Sequence, residues 1–533
     1  MTDGSRRYHV IGPTRAELVL PDGVTLVADI YRPDSPDAFP TLVMRQPYGR
    51  TIASTVVFAH PAWYAERGYV VVVQDVRGCG DSGGKFEALV NEAADGAATL
   101  DWVAGLPFCN GKIGTYGFSY QGATQYLALA GGGRRPDAIA PVMAPWSIRD
   151  DWAFEGNAFR TGSNVGWSAQ MGWLEATRRG DFAAAAELRR DGNIDRLMSF
   201  LLDRPDLSQL ATWLADDPAY WAGLSPDSLL RGVPVDIPAL HVGGWCDYML
   251  RGTVTADAVF RAASPESAHL VIGPWSHLPW NRAAGMADLG ATAEYSIDRA
   301  QLRFFDFYLK GQGQRPAAVR LFDVGKRQWR EYETAPVPAR RRLFLQSDGL
   351  AATLLTDGRL EAEPGEAVVD RLVHDPSNPA PLIGGHLGTP PGFVSRARAD
   401  DRADVAVYTS APAERETLVG GEVVLHLDAL ASYAPFDIVA SLSLVSATGD
   451  PMVLCTSTHR HDVAGESALE LSLPGVCVTL GIGESLRLSV QGGGAPMFAV
   501  ASALVPPSPQ PRPITIAIRH GGSYGSWLDL PLI

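Results

Sequence analysis

The sequence predicts an α/β protein: a mixed, mostly parallel sheet wrapped by helices, interrupted by a helical insertion and followed by an all-β sandwich. Three observations predict it. Strand and helix patterns alternate over residues 1–145 and again over 236–345. Residues 146–235 between them have helical spacing and many Trp and Leu, with no obvious strand. From 346 to 533, short β runs recur at fairly even intervals with turn residues between them. A β-rich start followed by β–α alternation calls for a sheet layered with helices, and evenly spaced short strands call for a sandwich.

Bulk properties agree. A chain of 533 residues is too long for one core, so two or three domains are expected. Apolar residues make up 46% and charged residues 20%, an ordinary globular balance. A net charge of −14 with no basic block argues against nucleic acid as a partner. No apolar run approaches membrane-spanning length, and "MTDGSRRYHV" lacks the apolar stretch of a secretory leader. Cys79, Cys109, Cys246, Cys455 and Cys477 are scattered, with no CxxC. That usage fits a reducing, cytoplasmic setting and offers no zinc or disulfide framework. No metal and no cofactor are expected, and homo-oligomerisation is left open.

Taken in order, "AELVL-PDG-VTLVADIYRP" reads as two strands around a Pro-Asp-Gly turn. "TLVMRQPYGR" is a buried strand ending in a polar loop. "GYVVVVQDVRGCGDSGG" is a β-branched run stopped by glycines, and "NEAADGAATLDWVAGLP" has helical spacing. "KIGTYGFSY" is the next strand, with a helix directly behind it, and "DAIAPVMAPW" is another strand. "WAFEGNAFRTG", "NVGWSAQMGWLEATRRG", "FAAAAELRRDGNIDRLMSFLLD" and "DLSQLATWLADD" form the helical insertion. The α/β rhythm returns with "PALHVGGWCDYMLRG" and "AHLVIGPWSHLPW", and "RAQLRFFDFYLKGQG" is expected as the closing helix. "EVVLHLDALAS", "FDIVASLSLVSATGD", "SLRLSVQGG", "MFAVASALV" and "ITIAIRHGG" carry the sandwich.

The chemistry lies at strand ends. "GTYGFSYQG" puts Ser119 on a bend between a strand and a helix, with Gly117 and Gly122 beside it. A nucleophilic serine needs a base for its proton, and the base needs a carboxylate to fix its tautomer. In the α/β-hydrolase arrangement these follow in the order Ser, acid, His, each past a strand end. Asp247 ends "ALHVGGWCD" and His277 ends "LVIGPWSH", in that order and position. Singly, each has a plain reading as a turn, cap or loop residue; together they indicate a catalytic set. The backbone N–H of Tyr120, next after the serine, is the expected first oxyanion donor.

"GKIGTYGFSYQG", "QDVRGCGDSGG", "GGWCD", "GPWSH", "FFDFYLKG", "HDPSNPAPLIGG" and "GSYGSWLDLPLI" together resemble the cocaine esterase and X-prolyl dipeptidyl peptidase type of serine hydrolase, the CocE/NonD family. The likeness runs in order along nearly the whole chain. It implies an α/β-hydrolase core (1–145 and 236–345), an inserted helical cap (146–235) and a C-terminal jelly roll (346–533). It implies the triad Ser119, Asp247 and His277. It also implies a tyrosine hydroxyl as second oxyanion donor, which places Tyr48 of "MRQPYGR" in that role. Cys246 departs from the aromatic residue common in relatives.

Other features read more plainly. Asp75 and Arg77 in "QDVRG" suggest a structural ion pair. His459 and His461 in "THRH" lack a third ligand in view and read as a solvent-facing pair. His374 and Asp375 suggest a loop hydrogen bond. Because the insertion should roof the site, Trp152, Phe154 and Trp167 are candidates to line an acyl pocket. The resemblance spans esterases, acylases, α-amino-acid ester hydrolases and X-prolyl peptidases. A substrate ammonium needs acidic partners, yet Tyr248, Met249 and Leu250 follow Asp247; Asp150 and Asp151 could supply only part of a cluster. The expected substrate is therefore a small-molecule carboxylic ester with an apolar or aromatic acyl group. The alternatives are an acylase or X-prolyl or α-amino-acid ester hydrolase on the same triad, or a binding protein with a vestigial hydrolase core and a carbohydrate-binding sandwich.

Overall fold

The structure is a computed structural model, and it describes residues 7–52, 57–278, 280–499 and 512–533. A ten-stranded sheet forms its first part. Strands β1 (Val10–Val19) and β2 (Thr25–Pro33) pair antiparallel around the Pro-Asp-Gly turn, where Gly23 has φ +83° and Asp22 accepts the Val24 N–H. Next come β3 (Phe39–Gln46), β4 (Val70–Asp75), β5 (Cys109–Phe118), β6 (Ala138–Val142), β7 (Ala239–Cys246) and β8 (Ala268–Ser276). Their spatial order is β1-β2-β4-β3-β5-β6-β7-β8, and every neighbouring pair from β4 to β8 is parallel. The sequence reason is plain in β4: "VVVVQD" is buried at all positions, as a strand covered on both faces must be.

Helices α1 (Pro61–Ala65), α2 (Glu92–Ala104) and α3 (Tyr120–Ala130) make the first crossovers. Because β3 lies between β4 and β5, the winding reverses there. Sheets of this kind bind ligands in the crevice past the carboxyl ends of the strands at such a reversal.

Between β6 and β7 lie α4 (Thr161–Arg179), α5 (Phe182–Leu188), α6 (Ile194–Leu202), α7 (Leu210–Leu214), α8 (Pro218–Ala222) and α9 (Pro226–Leu229). One part of this block departs from the helical expectation. "WAFEGNAFRTG" forms a π-helical turn, Arg149–Ala153, and a small hairpin pairing Phe154–Glu155 with Ala158–Phe159. Its turn residues, Gly156 and Asn157, have φ of +47° and +66°, the left-handed pair a tight hairpin requires.

After β7 and β8, with α10 (Leu250–Ala263) between them, α11 (Ile297–Lys310) packs back on the sheet and ends at left-handed Gly311. It does not close the domain. Strands β9 (Val319–Asp323) and β10 (Gln328–Tyr332) follow it and extend the sheet.

The C-terminal part is an eleven-stranded all-β assembly. It comprises β11 (Ala339–Gln346), β12 (Arg359–Glu361), β13 (Val368–His374), β14 (Val405–Ser410), β15 (Thr417–Ala431), β16 (Phe436–Val445), β17 (Pro451–His461), β18 (Gly465–Leu480), β19 (Ser485–Gln491), β20 (Ile514–His520) and β21 (Trp527–Leu532). Of "MFAVASALV", residues 500–505 lie outside the described residues. One apolar cluster joins both parts: Trp245, Leu250, Ile272 and Phe322 of the first pack with Leu345, Leu425, Leu442 and Leu473 of the second. Asp323 stitches the seam by accepting the Thr479 N–H at 2.9 Å and the Thr479 hydroxyl at 2.6 Å. Among the described residues no helix is long and apolar enough to cross a membrane.

Candidate active site

Ser119 follows β5 directly and adopts φ +60°, ψ −120°. That bend needs close backbone approach on both sides. A Cβ on Gly117 would sit 2.5 Å from Gln121 Cβ, and one on Gly122 would sit 2.6 Å from Ala144 Cβ. The bend is tied down on either side: the Ser119 N–H donates to Val142 O at 2.9 Å, and its carbonyl accepts the Gly122 and Ala123 N–H groups. The first N–H groups of a helix have no partner within it, so that of Tyr120, opening α3, is available at the crevice.

Three strand ends converge on this serine. His277 Nε2 lies 3.1 Å from Ser119 Oγ, and His277 Nδ1 lies 2.7 Å from Asp247 Oδ1. A carboxylate only accepts, so Nδ1 carries the proton and Nε2 turns its lone pair toward the serine hydroxyl. Asp247 is fully buried, while the His277 side chain keeps 19% exposure and so borders the crevice. The imidazole is held between Phe118 and Tyr248, at ring distances of 4.5 and 4.4 Å, and the Trp280 indole donates to the His277 carbonyl at 2.9 Å. Cys246 points into the apolar seam, where burial pushes its thiol well up and keeps it protonated.

Tyr48 sits on the loop after β3 with its N–H on Gln46 Oε1 at 2.7 Å. The same Gln46 amide donates to Asp75. Burial pushes the Tyr48 hydroxyl up to about 12, so the phenol stays neutral and able to donate. It packs in one apolar cluster with Tyr120, Trp167 and Tyr248.

The side chain of Tyr120 is anchored from behind. Its hydroxyl donates to Glu92 Oε1 at 2.8 Å and accepts the Leu89 N–H at 3.0 Å. Glu92 in turn pairs with buried Arg45 at 2.7 Å. Sequence reasoning missed Arg45 and Glu92, because the pair joins positions 47 residues apart. It also missed a buried ionic junction. Glu155 accepts from Arg160 and from Arg251 at 2.6 Å, and Arg160 also donates to the Tyr248 carbonyl at 3.1 Å. The two guanidiniums hold the Glu155 carboxyl down at about 2 against the opposing effect of burial. The hairpin, α10 and the loop bearing Tyr248 meet there.

The candidate pocket residues separate. Trp167 lies against Tyr48 and Tyr120, with its indole N–H 3.2 Å from the Tyr48 hydroxyl. Trp152 is buried behind it, edge-on at 4.9 Å. Phe154 packs into the helical block, on Phe159, Trp221 and the Arg149 guanidinium. Asp75 does not pair with Arg77: it binds Arg50 at 2.7 Å, while Arg77 binds Asp22 and Asp95. Asp151 turns Oδ2 onto the Trp146 and Ser147 N–H groups, and exposed Asp150 pairs with part-buried Arg149, so both carboxylates are engaged. His459 and His461 are half-buried with rings 4.3 Å apart, and among the described residues no group of three metal-binding side chains forms. His374 is buried against Gly492 and Gly493, and Asp375 accepts the Ser377 N–H at 2.8 Å.

Comparison with known proteins agrees with this architecture. Residues 22–279 match the X-Pro dipeptidyl-peptidase (S15) family, and residues 311–524 match the X-Pro dipeptidyl-peptidase C-terminal non-catalytic domain. The chain is similar to a cocaine esterase of Rhodococcus sp. (strain MB1 Bresler), at 31% identity over 82% of this chain and 81% of that one. Two solved structures share the fold over the whole chain and 98% of their own length: an aminopeptidase from a marine sediment archaeon (Thaumarchaeota), with TM-score 0.81 and 22% identity, and an α-amino acid ester hydrolase, with TM-score 0.77 and 20% identity.

Proposed function

The chain belongs to the X-Pro dipeptidyl-peptidase (S15) and cocaine esterase family of serine hydrolases, and within that family we propose that it cleaves carboxylic esters with uncharged apolar or aromatic acyl groups. It is a serine ester hydrolase, and the acyl preference and residue roles below are our reading. The observation that carries this reading is the relay Asp247–His277–Ser119, at 2.7 and 3.1 Å.

Ser119 Oγ attacks the ester carbonyl carbon as His277 Nε2 takes its proton. The carbonyl electron pair moves onto oxygen, and the tetrahedral oxyanion meets the Tyr120 N–H and the Tyr48 hydroxyl. The oxyanion collapses, the alkoxide leaves with the proton from His277, and the acyl group remains on Ser119. Water then attacks the acyl-enzyme by the same route, His277 taking its proton and returning it to Ser119 Oγ. Asp247 holds Nδ1–H throughout and stabilises the transient imidazolium.

The acyl preference rests on charge. An α-ammonium group needs an unengaged carboxylate. Glu155 is held by two arginines, Asp151 by two backbone N–H groups, and Tyr248, Met249 and Leu250 follow Asp247. The test compares kcat/KM for aryl esters of acetate and benzoate, an α-amino-acid ester and an X-prolyl anilide. The neutral esters should lead. A preference for the amino ester or the anilide would overturn the acyl assignment while leaving the triad intact.

A further inference from the structure

The Tyr48 hydroxyl has one proton and two lone pairs. One lone pair accepts the Trp167 indole N–H at 3.2 Å, and among the described residues no acceptor takes the hydroxyl proton. Tyr48 is therefore an O–H group with its acceptor side engaged and its donor side open.

Trp167 has little freedom to turn. Its ring stacks on Trp213 at 5.8 Å and 11° and lies near-parallel to Tyr120 at 6.4 Å and 19°. Trp152 closes one edge at 4.9 Å and 75°. Aromatic pairs at such spacings attract one another, and rotating the indole would break several of these contacts at once. Trp167 lies on α4 of the helical block, Tyr48 on the loop after β3, and Tyr120 on the turn carrying Ser119. The stack thus spans the crevice.

We propose that Trp167 is the positioning residue of the oxyanion hole: its indole N–H orients the Tyr48 hydroxyl toward the reacting carbonyl and polarises it. This rests on the reading of Tyr48 as an oxyanion donor. As the oxyanion forms, Tyr48 donates its proton more fully and its oxygen gains negative charge. The Trp167 N–H meets that charge, so the two hydrogen bonds strengthen together. Burial raises the phenol's pKa and the Trp167 hydrogen bond acts against that rise, the direction a better donor requires. The helical block thereby takes part in turnover as well as covering the site.

The test is a double-mutant cycle of wild type, Trp167→Phe, Tyr48→Phe and the double variant, with kcat and KM measured on one aryl ester. Phenylalanine keeps an aromatic ring in the stack but removes the N–H together with part of the ring's bulk. Trp167→Phe should lower kcat about tenfold, the scale of one lost neutral hydrogen bond, with KM changed less than twofold. In the Tyr48→Phe background the same change should have no further effect on kcat. Replacing Trp167 with benzothienylalanine, which has the indole shape without the donor, should reproduce the Phe result and guards against a packing defect. An equal loss in both backgrounds, or no loss in either, would overturn the inference while Tyr48 stands. A fall below threefold for Tyr48→Phe alone would overturn the oxyanion reading and the inference with it.

Discussion

Ser119 holds φ +60°, ψ −120°, where a side chain crowds its own backbone. Conformations of this kind cost about 1–3 kcal/mol and persist where the surroundings enforce them. Here β6 and the first turn of α3 do so through three hydrogen bonds on Ser119. The strain aims Oγ out of the turn at His277, and it can be measured. Ser119→Ala and Ser119→Gly both lose the hydroxyl and should both lose nearly all hydrolysis. Glycine alone relaxes the backbone, so thermal unfolding should place Ser119→Gly above Ser119→Ala. Equal midpoints would mean that the turn stores no strain. Ser119, Asp247 and His277 were legible as a set because each closes a β run just before a turn, a local pattern. Tyr48 was proposed as an oxyanion donor only through family resemblance: "QPYGR" has no feature that separates such a donor from a packing tyrosine.

At the scale of elements, α2 acts as a brace for the turn that carries Ser119. Glu92, in its first turn, ties the Tyr120 hydroxyl to Arg45 on β3. Removing one partner of a buried ion pair typically costs about 3–5 kcal/mol, because the other charge is left uncompensated. Glu92→Ala should therefore destabilise on that scale and lower kcat more than it raises KM, since Tyr120 loses its anchor. Glu92→Gln keeps an acceptor for Tyr120 and should recover part of kcat without the full stability. Full activity in Glu92→Ala, measured well below its unfolding temperature, would show that Tyr120 needs no brace. This brace was invisible in sequence, where "NEAAD" reads only as an acidic helix start. The hairpin at 154–159 was missed for a different reason. Its strands are two residues each, too short for any periodicity, and only the Gly156-Asn157 pair marked the turn. Strands β9 and β10 were hidden in the same way, being five residues each behind a long helix that looked final.

For the whole molecule, the broad plan was legible because it rests on changes of period that persist for a hundred residues. The seams were not, since they join residues far apart in the chain. We propose domain divisions near 145, 235 and 345, with the site where the parts meet. The all-β part touches the helical block as well as the sheet: Gly162 donates to the Met497 carbonyl at 3.0 Å, and Arg460 donates through its N–H to the Gly156 carbonyl at 2.6 Å. Residues 1–345 alone would expose Trp245, Leu250, Ile272 and Phe322, an apolar face that favours association. That fragment should be aggregation-prone, and a monodisperse, fully active 1–345 would contradict the shared core.

The central claim is that Ser119, served by His277 and Asp247, is the nucleophile of ester hydrolysis. Its most direct test is mass spectrometry of the native chain after treatment with a fluorophosphonate. Wild type should gain a single adduct, mapped to the peptide containing Ser119, in step with loss of esterase activity. Ser119→Ala should gain none, and His277→Ala should label far more slowly. An adduct on another residue, or esterase turnover undiminished in Ser119→Ala, would contradict the account.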